Sequence, residues 1–489
     1  MSHRGAVELI DRVTDAGSFQ SWDRPISVDA TRLDPNYLAA LQSARERTGV
    51  DESIITGRAS IDGIPVAVVA SEFGFLGGSI GVEAARRLVE AVRRATAERL
   101  PLLAAPASGG TRMQEGTPAF VRMAAITDAV LHHRRAHLPY LAYLRHPTTG
   151  GVFASWASLA HVTAAEPGAL IGFLGPRATA AIRGQALPEH VQRAEHLYRH
   201  GLLDAVVPAE ALRGVAATAL RIIGAGPATA ADVRSPASLP IVDGWDSVQR
   251  SRRPDRPTPR ALVDAGADAT VPLSGTGDGE RDHSVMLMLA TLAGVGCVIV
   301  GHERRQPLTP AGLRTARRGM RLAAELELPL VTVIDTAGAA LSVEAEEGAL
   351  AGEIARCMAD LLKLEAPVLC VLLGAGTGGA ALAFLPADRI IAAQHAWLAP
   401  LSPEGASAIL YRTPDRAAEM PGQQAVSSMD LLRSGVVDRI VAEHPDAADE
   451  PQAFLARLTR VIGGELIALR ELPLEALVRA RGERFHRIG

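Results

Sequence analysis

At 489 residues the chain is long enough for two domains of roughly 200 residues, each with its own core. The 50 Lys and Arg against 54 Asp and Glu leave a formal charge of −4, which gives no basic field to hold nucleic acid or an anionic membrane, so soluble molecules and proteins are the expected partners. Three cysteines, Cys297, Cys357 and Cys370, form no CxxC pair; reduced structural thiols and a cytoplasmic location are expected, and a cysteine metal site is not.

From the N-terminus, MSHRGAVELIDRV carries no apolar core of the kind a secretory signal needs. Apolar runs then alternate with helical patterns, the signature of βαβ units. An apolar run at 100–106 leads into SGGTRMQEG (108–116), and HPTTGGVFAS (146–155) follows as a strand that stops at a Gly-Gly turn and becomes a helix. Glu166 opens EPGALIGFLGP, and HLYRHGLLDAVV (196–207) closes this half. The adjacent His132 and His133 read as a solvated helix face. AGPATAADVRSPASLP (225–240) and SRRPDRPTPR (251–260) are rich in Pro, Ala and Arg. They predict a linker over 225–260 between a first domain at 1–224 and a second at 261–489.

The second half repeats the first. A run at 328–334 leads into DTAGAALSVEAEEG (335–348), GAGTGGAALA (374–383) supplies the second glycine turn, Gln394 opens QHAWLAPLSPEG, and MDLLRSGVVDRIV (429–441) closes the half. Gly110 to Gly151 and Gly338 to Gly379 are both 41 residues apart, and Glu166 and Gln394 each lie 15 residues further on. Order and spacing kept together identify a duplicated α/β domain. The uncharged stretch 366–387 is long enough to cross a bilayer, but the glycines at its centre would release backbone groups that lipid cannot satisfy; a buried strand, turn and helix account for it.

At a strand–Gly-Gly–helix turn, free N–H groups and the helix dipole favour a negative oxygen, and the missing Cβ lets a substrate approach. Such turns also serve only to pack helices closely. Two copies of a paired landmark point instead to two oxyanions. GxxxxGK[ST] and HExxH are both absent, which leaves no P-loop and no zinc helix. Ser108, Ser155 and Ser402 read as caps or backbone hydrogen-bonding residues.

These motifs resemble the acetyl-CoA carboxylase carboxyltransferase family over nearly the whole chain. GSFQSWD (17–23), SGGTRMQEG, PTTGGVFASWASL and AEPGALIGFLGPR look like its bacterial β subunit; WDSVQRSRRPDRP (245–257), DTAGA, GTGGAALA, LSPEGASAILYR and DLLRSGVVDRI look like its α subunit. A fused β-like and α-like chain is similar to the acyl-CoA carboxylase β subunits of actinobacteria. The resemblance implies two tandem ClpP/crotonase-like domains, acyl-CoA on the first and biotin on the second. It further implies transfer of a carboxyl group from carboxybiotin, borne on a carrier protein, to acetyl-CoA or a propionyl or longer acyl-CoA, giving malonyl-CoA-type products.

Carried onto this sequence, Gly150 and Gly151 would hold the thioester enolate oxygen, and Gly379 and Ala380 the biotin carbonyl oxygen. Ser108, Gly109, Gly110 and Arg112 would lie beside coenzyme A, with an internal ion pair as the other reading of Arg112. Gly338, Ala339 and Gly378 would flank biotin, and Leu382 would influence acyl selection. Arg252, Arg253 and Arg256 are candidates for CoA phosphates or for solvent. The biotin anion left by decarboxylation can take the α-proton, so no protein base is required. The resemblance also implies a biotin carboxylase and carrier partner and a homo-oligomer, a hexamer by family analogy. Departures exist: the four-cysteine zinc ribbon of the bacterial β subunit has no counterpart, so no metal is expected, and Ala337, Ala340 and Ala375 replace family Pro, Tyr and Glu. A biotin-independent malonyl-thioester decarboxylase and an inactive structural subunit remain as alternatives.

Overall fold

The computed structural model describes residues 5–26, 34–226, 240 and 242–488, and they form two compact units. The first takes in Met1–Arg221 with Gly277–Gly279, the second Ile222–Thr276 with Glu280–Gly489.

The first unit is built on a seven-stranded sheet, in the order Gln20–Ser21, Ile54–Ile61, Ile64–Ser71, Leu102–Ala105, Tyr140–Leu144, Val162–Ala165, Ala205–Val206. It starts as an antiparallel hairpin. Asp62 and Gly63 both take positive φ (48° and 76°), the two-residue turn whose twist matches a right-handed hairpin. From Ile64–Ser71 onward every pairing is parallel, so helices must carry the chain back. The helix Val82–Ala97 is one of these; it buries Ala84, Ala85, Leu88, Ala91, Val92 and Ala95, the three-to-four spacing of an amphipathic face. Four of those six are alanine, which lets the helix lie close on the sheet, while full burial of a side chain such as Leu88 contributes about 1.5–3 kcal/mol.

The second unit repeats this plan. Its sheet runs Ala267–Leu273, Val285–Leu292, Val295–His302, Leu330–Thr336, Val368–Thr377, Arg389–Ala393, Arg439–Val441, with Trp397–Ala399 pairing the end of Val368–Thr377. Its hairpin turns on Ala293 and Gly294, again both at positive φ (50° and 78°). The 16-residue helix Pro310–Glu325 matches the 16-residue Val82–Ala97. Asp204 and Asp438 make the same reciprocal clamp: each carboxylate accepts a strand N–H, from Thr163 at 2.9 Å and from Ile390 at 2.7 Å, and each N–H returns to that residue's carbonyl at 2.8 Å.

Two expectations are corrected here. The described part of 225–260 is not a free linker (227–239 and 241 lie outside the described residues). It carries the helix Gly244–Ser251, capped by Asp243, whose Val248 is buried with Trp397, Ala399 and Val426, and the Trp397 indole N–H donates to Ser251 at 2.8 Å. Proline and arginine mask an apolar face there. Likewise His133 is fully buried on Gly116–Arg135 rather than solvated, and burial pushes its imidazole down to about 4, so it stays neutral.

Candidate active site

In the first unit, the chain leaving Leu102–Ala105 folds back through Ser108, whose hydroxyl accepts the Gly110 N–H at 3.0 Å. Ile80 donates to the Gly110 carbonyl and Arg112 to the Ile80 carbonyl, both at 2.9 Å, which stitches the turn to the start of Val82–Ala97. Gly110 has φ +113° and Gly150 φ +65°, regions open mainly to glycine. The two touch backbone to backbone: a Cβ on Gly110 would sit 3.1 Å from the Gly150 Cα, and one on Gly150 would sit 2.9 Å from the Gly110 Cα. The Gly150 N–H donates to the Phe173 carbonyl at 2.9 Å. Gly151 is the second residue of the helix Gly150–Phe153, where N–H groups lack a partner within the helix. Of the two donors assigned to an enolate hole, then, Gly150 is engaged by its own fold. Ser108 and Ser155 act on backbone as expected, Ser155 donating to the Gly151 carbonyl at 2.5 Å; Gly109 lies exposed beside them.

Arg112 does not reach into this site. It is 1% exposed, donates to both Glu52 oxygens and to the Ser79 carbonyl, and lies 3.3 Å from Glu115. Glu115 in turn accepts the Tyr37 hydroxyl and the Val82 N–H, each at 2.5 Å. Burial, and then the Glu115 carboxylate, push the Tyr37 hydroxyl well above its ordinary range. The internal ion pair is thus the reading that the geometry supports, and the guanidinium clamps the turn instead of meeting a phosphate.

The second unit has the same stitching. Thr336 accepts the Gly338 N–H at 3.1 Å, Leu308 donates to the Gly338 carbonyl at 3.2 Å, and Ala340 donates to the Leu308 carbonyl at 2.9 Å. Gly338 and Gly378 take φ +134° and +63°, and Gly379 and Ala380 follow in the helix Gly378–Leu382. Here the glycines stand apart. A Cβ on Gly338 would meet only the Thr377 methyl, at 3.9 Å. Leu382, which ends this helix, is 44% exposed.

Charge supports the second turn from below. Asp335 is buried, accepts the Ala375 N–H at 3.1 Å, and lies 3.5 Å from the Arg304 guanidinium; burial pushes its carboxyl up to about 6. Arg256, a candidate for phosphate or solvent, is instead buried against Glu443 at 2.6 Å, while Arg252 pairs with Glu404 and Arg253 with Asp255 and Asp449. His302 is buried with its ring stacked on Phe384, centroids 4.2 Å apart, and burial pushes its imidazole down to about 4. The internal pairing of Asp335 and Arg256 gave no advance signal, because a charged residue in a motif or a Pro-rich run reads alike whether it will pair internally or meet a ligand.

Exposed apolar side chains recur at matching places in the two units. Met113, Phe173 and Ile182 are exposed in the first unit, and Leu341, Leu401 and Leu410, each 228 residues later, in the second. Among the described residues no cluster of three or more His, Cys, Asp or Glu could hold a metal, and no helix is long and apolar enough to cross a membrane.

Comparison with known proteins agrees with this architecture. The chain is 54% identical to the probable biotin-dependent acyl-coenzyme A carboxylase beta3 subunit of Mycobacterium tuberculosis, over 100% of this chain and 99% of the relative. It is 38% identical to the acetyl-coenzyme A carboxylase carboxyl transferase subunits beta/alpha of Salinispora arenicola, over 100% and 91%. In fold it matches transcarboxylase 12S with a TM-score of 0.73 at 21% identity, over 93% of this chain and 89% of the other. It also matches a single-chain, multi-domain long-chain acyl-CoA carboxylase with a TM-score of 0.71 at 18% identity, over 94% and 46%. The two units are therefore tandem crotonase-like domains, and since the carboxyl transferase domain also matches residues 3–473, the chain belongs to the carboxyl transferase domain family.

Proposed function

We propose that this chain is the carboxyltransferase component of a biotin-dependent acyl-CoA carboxylase. The observation that carries the reading is the pair of glycine turns, built alike in two units and each placing its second glycine in the first turn of a helix. Two anions form when a carboxyl group passes from a biotin ring to an acyl thioester, and two such turns answer that need; a thioester decarboxylase needs one.

The first turn takes the thioester: the Gly151 N–H faces the oxygen that becomes the enolate, with Gly150 as its left-handed hinge, and Ser108, Gly109 and Gly110 border the CoA arm. In the second turn Gly379 and Ala380 offer their N–H groups to the biotin carbonyl oxygen. The open space at Gly338, with Ala339 and Gly378 small beside it, fits a flat bicyclic ring. Carboxybiotin, when its carrier docks, supplies the carboxyl group and a base for the acyl α-proton. The chain's part is to place donors where charge grows in the transition state, a contribution of about 2.7–4 kcal/mol per donor.

Acetyl-CoA, giving malonyl-CoA for fatty acid biosynthesis, is the substrate we assign first, with propionyl-CoA and longer thioesters as the other members of the class. A biotin carboxylase and carrier subunit completes the enzyme, and we assign the complex to the cytoplasm. The exposed apolar rims at Met113 and Leu341 support a homo-oligomer, since a second copy would cover them; a hexamer is the state assigned.

The test is reverse transfer by the purified chain: malonyl-CoA and methylmalonyl-CoA are incubated with and without a biotinylated carrier, and acyl-CoA release is measured. Release that depends on biotin is the expected result. Equal release without biotin would make the chain a decarboxylase, and no release with any carrier would make it a structural subunit.

A further inference from the structure

Against the second glycine of each turn packs an apolar side chain, and the two differ in kind. In the first unit it is Met123, from the helix Gly116–Arg135. A Cβ on Gly151 would lie 3.0 Å from the Thr111 hydroxyl oxygen, 3.2 Å from the Met123 Cγ and 3.4 Å from its Sδ, so the methionine packs against the glycine beside the Thr111 hydroxyl. The Ser155 hydroxyl is 3.8 Å from the same sulfur. Met123 is 8% exposed, packed among the core residues but at their edge. In the second unit the same place is taken by Ile354, from Leu350–Leu362. A Cβ on Gly379 would lie 3.0 Å from its Cδ1 and 3.6 Å from its Cγ2.

An isoleucine is branched at Cβ and stiff about χ1. A methionine is unbranched, turns about three bonds and refills irregular space. A ring that never varies is served by a fixed wall; a tail that varies in length needs one that can fold aside. We propose that Met123 is the floor of the acyl site and sets how long an acyl group the chain accepts. This rests on the reading of Gly151 as the thioester side.

The experiment compares wild type, Met123→Ala and Met123→Ile by kcat/KM for acetyl-, propionyl- and butyryl-CoA, all with one carrier whose biotin has been carboxylated beforehand and one preparation of each protein. The quantity read is the butyryl-to-acetyl ratio, which does not depend on the fraction of chain folded. One methylene in an apolar pocket is worth about 10–200-fold. Met123→Ala is therefore expected to raise the ratio about tenfold, and Met123→Ile to lower it by a similar factor, with KM for the carrier unchanged. Met123→Ile is close to methionine in volume, so it carries the test if the alanine variant fails to fold. Ile354→Val, the control in the other unit, is expected to move KM for the carrier and leave the acyl ratio alone. A ratio unchanged in both Met123 variants, with transfer intact, would overturn the proposal alone; no transfer by wild type to any of the three thioesters would overturn the reading of the site together with it.

Discussion

The two glycine turns share stitching, dihedral angles and spacing, yet one is closed and the other open. Gly110 and Gly150 leave no room for even a Cβ between them, whereas a Cβ on Gly338 has only a methyl at 3.9 Å for company. Their supports differ in the same sense. The first is clamped by the buried Arg112, Glu52, Glu115 and Tyr37 network. The second hangs on one buried carboxylate, Asp335, with Arg304 at 3.5 Å. Duplication kept the donors and let the walls diverge, as expected where one fold must hold two unlike ligands.

The largest effect should come from the clamp. Removing one partner of a buried pair costs about 3–5 kcal/mol, because the other charge is left uncompensated. Arg112→Met should therefore lower stability in urea by that amount, and far more than Arg252→Met, whose ion pair is exposed and worth about 0–1 kcal/mol. Equal losses would deny the clamp. Next come the donors. The atoms nearest to added side chains at Gly151 and Gly379 belong to side chains, Thr111 and Met123 in the first case and Ile354 in the second, so Gly151→Val and Gly379→Val should fold and yet lose about 100- to 1000-fold in biotin-dependent release. The closed and open turns can be told apart directly. Gly110→Ala meets both left-handed strain, about 1–2 kcal/mol, and a backbone contact, while Gly338→Ala meets strain alone. The first should lower Tm by clearly more than the second.

The smallest effect concerns pH. Asp335 ionises near 6 in the folded chain, above its ordinary 3.8, so the folded state binds the proton more tightly than the unfolded one. Its contribution to stability is full below pH 4 and is lost as pH rises through 6. Wild type should therefore lose stability relative to Asp335→Asn between pH 4 and 6, read as the difference between their Tm values. A flat difference would mean that the carboxyl is not raised.

Much of this was legible in the sequence, and the reason is glycine. Gly110, Gly150, Gly338 and Gly378 stand where φ is positive, and Gly151 and Gly379 keep the 41-residue spacing that a repeated βαβ plan enforces. The duplication and both turns followed from those positions, and the fold class from the resemblance that the glycine motifs carry. The engagement of Gly150 by Phe173 did not, because a backbone bond depends on how the later loop lies and leaves no residue signature. Nor did the helix at Gly244–Ser251, where Pro and Arg nearby drew the reading toward coil although Trp245 and Val248 sit one turn apart. Arg112 shows the same limit: the guanidinium that suits a phosphate suits Glu52 equally well.

The most direct test of the division between the turns is the binding of a non-hydrolysable acetyl-CoA thioether by calorimetry to wild type, Gly151→Val and Gly379→Val. The account predicts that Gly151→Val weakens binding at least tenfold and that Gly379→Val binds as wild type does, although both lose carboxyl transfer about 100- to 1000-fold. Equal weakening in both, or weakening in Gly379→Val alone, would contradict the assignment of one turn to the thioester and the other to biotin.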